Sequence, residues 1–361
     1  MRAARAERSL LVECLLAAAG PRPTLGALAA EVSPRRFVAL ARAFAVSETA
    51  AHALLGAGLL DLLGARAAAA LRGDVENATA KNALLLAEAA ALQRALAAAG
   101  VASVALKGAA LVALHYPALG ARHVGDLDLL VSPADTGRAE AVLRALGCTS
   151  FAEPRPDHDG RPVPVVRSDH HLPPLRTPGG LPCELHDGLP AAPERRGDVE
   201  GVLGRAREAS GRGGSLRVPS LDDLLGVACA HALGNHRGDE RFLPRHVADV
   251  AILLARGADP ERAARLHPGP EVGESLALLA AAHAGNAAPI VVVVPAAPAR
   301  RAGQVLAAAR EAGRRGGLGR FLFPAPAFLS TRYRVAPSSP WLPLLWAWRP
   351  LRAALRVVTG R

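Results

Sequence analysis

Lysine is almost absent from this 361-residue chain, and aromatic side chains are scarce. Lys81 and Lys107 are the only lysines among 43 Lys and Arg residues, and Phe, Trp and Tyr make up 3% of the sequence. Without aromatics interleaved among basic residues near any acidic motif, there is no stacking platform of the kind that holds single-stranded nucleic acid. The four cysteines, Cys14, Cys148, Cys183 and Cys229, lie far apart and lack Cys-x-x-Cys spacing. That excludes a zinc knuckle or disulfide framework and leaves reduced, mostly buried thiols, as in a cytoplasmic protein. No uninterrupted apolar run reaches the roughly 18 residues of a spanning helix. Residues 10–19 are apolar but short and broken by Glu13, so no secretory segment is expected. Motifs of the Gly-x-x-x-x-Gly-Lys-Ser/Thr, His-Glu-x-x-His and Gly-x-Ser-x-Gly types do not occur.

Ala, Leu, Gly, Pro and Arg dominate instead, and 50% of the residues are hydrophobic. Ala-rich helices should supply most of the mass. The net charge of +11 suits a phosphate-bearing ligand, nucleic acid or an anionic membrane, but it is spread along the chain and follows a general bias toward Arg. Residues 1–98 read as a helical region, with breaks at Gly20-Pro21, Ser33-Pro34 and Gly73-Asp74 and a long helix over 79–99 stopped by Gly100. Residues 99–190 read as a small mixed α/β unit: a strand within 101–106, a helix over 109–115, a strand at 127–131, a helix over 133–146, and strands within 163–168 and at 182–186. Polar loops are expected at 153–160 and 173–180, a second helical region over 191–320, and a hinge or loop at 211–214. Residues 321–361 form a tail with all three tryptophans, followed by Arg349, Arg352, Arg356 and Arg361, suited to docking on the body, a dimer partner or a membrane surface.

Two aspartates alternate with leucines in Gly125-Asp126-Leu127-Asp128-Leu129. On an extended backbone both carboxylates leave one face, and like charges side by side repel unless a cation or donor compensates. Such a pair is half of a divalent-metal site, or a solvated surface strand. Lys107-Gly108-Ala109 stands at a strand-to-helix turn, where glycine lets backbone pass close to a ligand and Lys107 adds a mobile positive charge; an ordinary tight turn reads the same way. Arg122 balances the acids, balances a phosphate, or is a solvated loop arginine. Glu184 and His186 share a strand face and offer a third carboxylate and an imidazole. His170 and His171 are adjacent, so on a strand they face opposite sides and form no simple cluster.

Taken in order, Leu106-Lys107-Gly108-Ala109, His115-Tyr116-Pro117, Arg122-His123-Val124-Gly125-Asp126-Leu127-Asp128, His170-His171-Leu172-Pro173-Pro174 and Cys183-Glu184-Leu185-His186 resemble the uncharacterised nucleotidyltransferase family of the DNA polymerase beta superfamily. The resemblance spans residues 80–255. It implies an α+β fold, a minimal nucleotidyltransferase core between helical regions. It also implies Mg²⁺- or Mn²⁺-dependent transfer of a nucleoside monophosphate, ATP being the favoured donor. Asp126, Asp128 and Glu184 would be catalytic and metal-binding. Lys107, Gly108, Ala109, Arg122, His170, His171 and His186 would contact the nucleotide. The acceptor would be a small molecule, peptide or protein, with nucleic acid not favoured. Gly108-Ala109 replaces the usual Gly-Ser or Gly-Gly, removing a hydroxyl ligand for phosphate, and a noncatalytic nucleotide-binding or interaction protein is the alternative. Asp249 matches a recurrent acidic position of the helical region, or is a helix-surface acid.

Overall fold

The computed structural model describes residues 2–150, 155–156, 162–163, 170–190, 197–212, 214–235 and 242–291. The aromatic tail, the expected strand beyond Val163 and most of the 153–160 loop lie outside them. Residues 1–151 and 167–292 form one compact unit and residues 152–166 and 293–361 another. In the second unit, β4 (Arg155–Pro156) pairs antiparallel with β5 (Pro162–Val163).

In the first unit, α1 (Arg2–Ala17), α2 (Leu25–Glu31), α3 (Pro34–Ala43), α4 (Ser47–Gly56) and α5 (Ala65–Ala98) precede the sheet. The expected break at Gly73-Asp74 does not occur, because α5 runs unbroken through it for 34 residues. A mid-helix glycine costs only about 1 kcal/mol. The tertiary anchors along α5 outweigh that: Arg42 pairs with Asp74, and Asn82 and Gln93 clamp other segments. The chain turns out of α5 through Gly100 at φ 71, a left-handed conformation natural to glycine.

The sheet has the order β1-β2-β7-β6-β3, with β1 (Ser103–Ala105), β2 (Leu127–Val131), β3 (Thr149–Ser150), β6 (Leu175–Arg176) and β7 (Pro182–His186). Strands β2 and β7 run parallel at its centre, and every other pairing is antiparallel. The fold is therefore α+β with a small mixed sheet, as the sequence implied. The two-residue strands β3 and β6 carry no alternating pattern, which is why 173–180 reads as a loop. Helix α6 (Lys107–Ala110) continues as a π turn to His115, and α7 (Thr136–Ala145) follows a short 3-10 turn.

Beyond the sheet come α8 (Val199–Arg205), then β8 (Arg207–Gly211) and β9 (Gly214–Val218), an antiparallel hairpin flanking the loop expected at 211–214, in a region otherwise expected to be helical. Its pairing partners are only locally separated, and its mostly exposed residues give no apolar signal. Gln93 of α5 clamps it by bonding both the N–H and the carbonyl of Arg217. Helices α9 (Leu221–Cys229), α10 (Leu243–Ala255), α11 (Pro260–Leu266) and α12 (Glu271–His283) complete the unit. The four cysteines are free and buried. No helix among the described residues is long and apolar enough to cross a membrane.

Both faces of the central strands are covered. Leu127, Leu129, Cys183 and Leu185 are fully buried on one face, while on the other Leu130 packs with Val104, Leu106, Val199, Val202 and Val227. The loop between α6 and β2 presses on α5 at Gly120, where an added Cβ would collide with the Thr79 hydroxyl and the Val75 carbonyl. Gly120→Ala is accordingly expected to lower stability by about 1–3 kcal/mol through overpacking. Gly56→Ala, in open space on α4, should leave the urea midpoint nearly unchanged.

Candidate active site

The site is assembled by the pairing of the two parallel strands. Their register sets Asp128 opposite Glu184 and Leu130 opposite His186. Because β7 alternates Cys183 and Leu185 inward on the other face, Glu184 and His186 come out on the face of Asp128. Strand β1 adds the cation: Leu106 N donates to Asp128 O at 3.0 Å, which brings the next residue beside the carboxylate. Lys107 Nζ then donates to Asp128 Oδ1 at 2.8 Å, and His186 Nε2 stands 2.8 Å from the same oxygen. Asp128 is 2% exposed and His186 0%.

Lys107 is thus a buried, ion-paired residue, where the sequence suggested a mobile charge reaching for phosphate. It also adopts φ 44, a left-handed backbone that costs a non-glycine residue of order 1 kcal/mol or more. The left-handed position at this turn thus belongs to Lys107 and not to the neighbouring Gly108. Gly108 is needed for packing, since a Cβ there would lie 2.8 Å from Val124 Cγ1 and 2.9 Å from Arg122 Nη1. Ala109 is buried behind it. Lys81, the other lysine, donates to Gly125 O at 3.3 Å, so both lysines meet the segment leading into the acidic strand or its carboxylate.

Burial alone would raise the pKa of Asp128, but the Lys107 charge and the His186 hydrogen bond outweigh it and hold the carboxyl well below its ordinary value. Burial likewise works against ionised Glu184, and His186, His171 and Lys107 keep its pKa lowered. Asp126, just before β2, goes the other way. Burial and then the Asp128 charge raise its pKa, with no hydrogen-bonded cation beside it among the described residues.

Among the described residues, Asp128, Glu184 and His186 form a cluster whose ligand atoms all lie within 4.8 Å of one another. Two carboxylates and an imidazole at that spacing suit a divalent cation. One buried ring nitrogen of the set, His186 Nδ1, has no hydrogen-bond partner among the described residues. Asp126 falls outside this threesome, near enough to be repelled by Asp128.

The histidines behave differently from the alternation argument. The rings of His170, His171 and His186 lie 4.9 to 5.4 Å apart, centroid to centroid. His171 makes only a single bridge to His186, and His170 stands in a bend, so strand alternation does not govern them. Backbone bonds from Asp187 and Gly188 to His170 O and from Leu172 to Leu185 O tie the segment along β7. His171 Nδ1 lies 2.7 Å from Leu172 O, which leaves Nε2 facing Glu184 at 3.7 Å. Burial, followed by the neighbouring His186 and His171, lowers the pKa of His170 to about 4 and favours its neutral ring.

Arg122 meets neither solvent nor the metal-site acids. Its Nε and Nη2 each reach Asp249 at 2.8 Å, and Tyr116 Oη donates to Asp249 at 2.7 Å. Arg122 and Asp249 are both buried, so Asp249 is no helix-surface acid. This bidentate pair ties α10 to the loop that delivers Asp126, and Asn82 secures the same loop through the carbonyls of Leu119 and Arg122. Sequence reasoning passed over Arg245, four residues before Asp249 on α10; that helical spacing beside a recurrent acid was the signal for it.

A five-stranded mixed sheet carrying a carboxylate–imidazole cluster on its central parallel strands defines an α+β protein with a candidate divalent-cation site. The chain belongs to a family described as uncharacterised nucleotidyltransferase, whose model matches residues 30–272. That span includes the Lys107–Asp128 pair, Glu184, His186 and the Arg122–Asp249 clamp. No curated protein matches the chain.

Proposed function

We propose that this protein transfers a nucleoside monophosphate from a nucleoside triphosphate, ATP first among the candidates, to an acceptor, releasing pyrophosphate in a reaction dependent on Mg²⁺ or Mn²⁺. The observation that carries this reading is the Asp128–Glu184–His186 cluster, within 4.8 Å, in a chain of nucleotidyltransferase family. Asp128, Glu184 and His186 would hold the cation, with Asp126 joining them. When bound, the ion would neutralise triphosphate charge and lower the acceptor hydroxyl pKa. Glu184, kept ionised by its neighbours, accepts the hydroxyl proton as the acceptor oxygen bonds to the α-phosphorus and the bond to the bridging oxygen breaks. Lys107, released from Asp128 as the site fills, turns to the departing phosphates. His170 and His171 line the nucleotide side of the cluster. The acceptor class we propose is a small molecule, peptide or protein, since the sequence segments that carry these residues do not interleave aromatic with basic side chains as a nucleic-acid platform does.

The Lys107–Asp128 pair favours one second reading, because it satisfies Asp128 without a cation. Together with Ala109 at the phosphate-side turn, it suits a noncatalytic nucleotide-binding or interaction protein. The two separate experimentally. Calorimetric titration with Mn²⁺ and ATP should show saturable binding that D126A/D128A loses, and α-labelled ATP incubated with candidate acceptors should yield label transfer. Nucleotide binding unchanged in D126A/D128A, or absent from the intact protein, would sink the nucleotidyl-transfer reading. Binding without transfer across the acceptor classes would favour the noncatalytic one.

A further inference from the structure

Arg245 is the cation left over by the network around Asp249. It stands four residues before Asp249 on α10, on the same helix face. The carboxylate of Asp249, however, is engaged by Arg122 and Tyr116. Among the described residues the Arg245 guanidinium makes no hydrogen bond or ion pair; it lies over the Phe242 ring at 5.3 Å.

Its setting is positive. Arg245 is in the first turn of α10, which has no acidic residue and no side-chain cap from Phe242, and the helix dipole there disfavours a cation. Burial and then the charge of Arg122 lower its pKa, against the pull of Asp249 and Asp126. A desolvated guanidinium without a hydrogen-bonded carboxylate costs a free protein stability. The residue is nevertheless partly exposed, so a ligand can reach it, and its charge acts on Asp126 at the mouth of the acidic strand. An anion arriving beside the metal-site acids would supply the missing partner.

We propose that Arg245 binds the polyphosphate tail of the donor nucleotide, through its guanidinium fork and the phosphate oxygens, and so positions the triphosphate beside Asp126 and Asp128. This assignment rests on the nucleotidyl-transfer reading. It differs from the role of Arg122, whose fork is closed on Asp249.

The test compares wild type, R245M and R245K by calorimetry with inorganic tripolyphosphate and with ATP, each with Mn²⁺. Thermal melting of the free proteins and Mn²⁺ binding by electron paramagnetic resonance serve as structural readouts. R245M should weaken tripolyphosphate binding by about tenfold or more, the scale of a charged hydrogen bond lost. R245K should fall between, having charge without the fork. The Tm of free R245M should equal or exceed that of wild type, with Mn²⁺ binding retained. Wild-type affinity in R245M for both anions overturns the assignment and leaves the nucleotidyl-transfer reading standing. Tripolyphosphate binding that depends on Arg245, without ATP binding by wild type, leaves Arg245 a polyphosphate-binding residue but overturns its assignment to a donor nucleotide together with the nucleotidyl-transfer reading. A wild type that binds neither overturns both. A lower Tm together with lost Mn²⁺ binding in R245M identifies a structural role and overturns the assignment.

Discussion

Asp128→Asn is expected to abolish saturable Mn²⁺ binding and to lower folding stability by roughly 3–5 kcal/mol, the cost of leaving a buried partner charge uncompensated. Asp128 is the hub of the candidate site: one oxygen meets both Lys107 Nζ and His186 Nε2, each at 2.8 Å. The amide keeps the shape but not the charge, so the ammonium of Lys107 stays buried without its counter-ion. The stability loss and the metal loss are separable. In the double variant K107M/D128N the orphaned ammonium is gone, and much of the lost stability should return while Mn²⁺ binding does not. Urea unfolding and Mn²⁺ titration of both variants read the two effects, and Mn²⁺ affinity in D128N equal to wild type would remove Asp128 from the cation site.

Breaking the Arg122–Asp249 clamp has an effect of similar size. Asp249→Asn should destabilise the fold by about 3–5 kcal/mol at neutral pH, because the Arg122 guanidinium is then buried without its carboxylate. The replacement also disturbs the loop that carries Asp126, so nucleotide and metal affinity should drop with it. The sign of the pH dependence follows from the depressed pKa of Asp249. Burial would raise it, but the charge and hydrogen bonds of Arg122 and the Tyr116 hydroxyl bring it below the ordinary value of 3.8. A group with a depressed folded pKa contributes its full stability above its unfolded pKa and loses it as pH falls through the folded one. The gap between wild type and D249N should therefore be constant from neutral pH to about pH 5 and shrink below about pH 4. Urea midpoints across that range test it; a gap that widens in acid would contradict the assignment of Asp249 as an ionised partner.

Local pattern was enough for some parts of the molecule. Leu127–Val131 and Pro182–His186 are strands because apolar residues alternate or run over five positions between turn residues, and both occur with those bounds. The helix expected over 133–146 occurs as Thr136–Ala145 after a short turn. Glu184 and His186 were placed on one face by the two-residue period, and the register of β7 against β2 agrees. Elsewhere long-range contacts overrode local signals. Gly73 is a weak breaker and α5 passes through it. Strands β3 and β6 are too short for any periodicity and exist only because the sheet edge pairs them.

By itself, then, the sequence determined the two central strands and which of their residues share a face, since these depend on spacing along one chain, while the α+β class came from the order of several motifs. Tertiary structure decided which charges meet. Lys107 and Asp128 are 21 residues apart and Arg122 and Asp249 127 apart, and no local period links either pair. In both cases the physical reason is desolvation: once a carboxylate is buried, it must take the nearest donor that the packed fold presents, and only the three-dimensional arrangement says which donor that is.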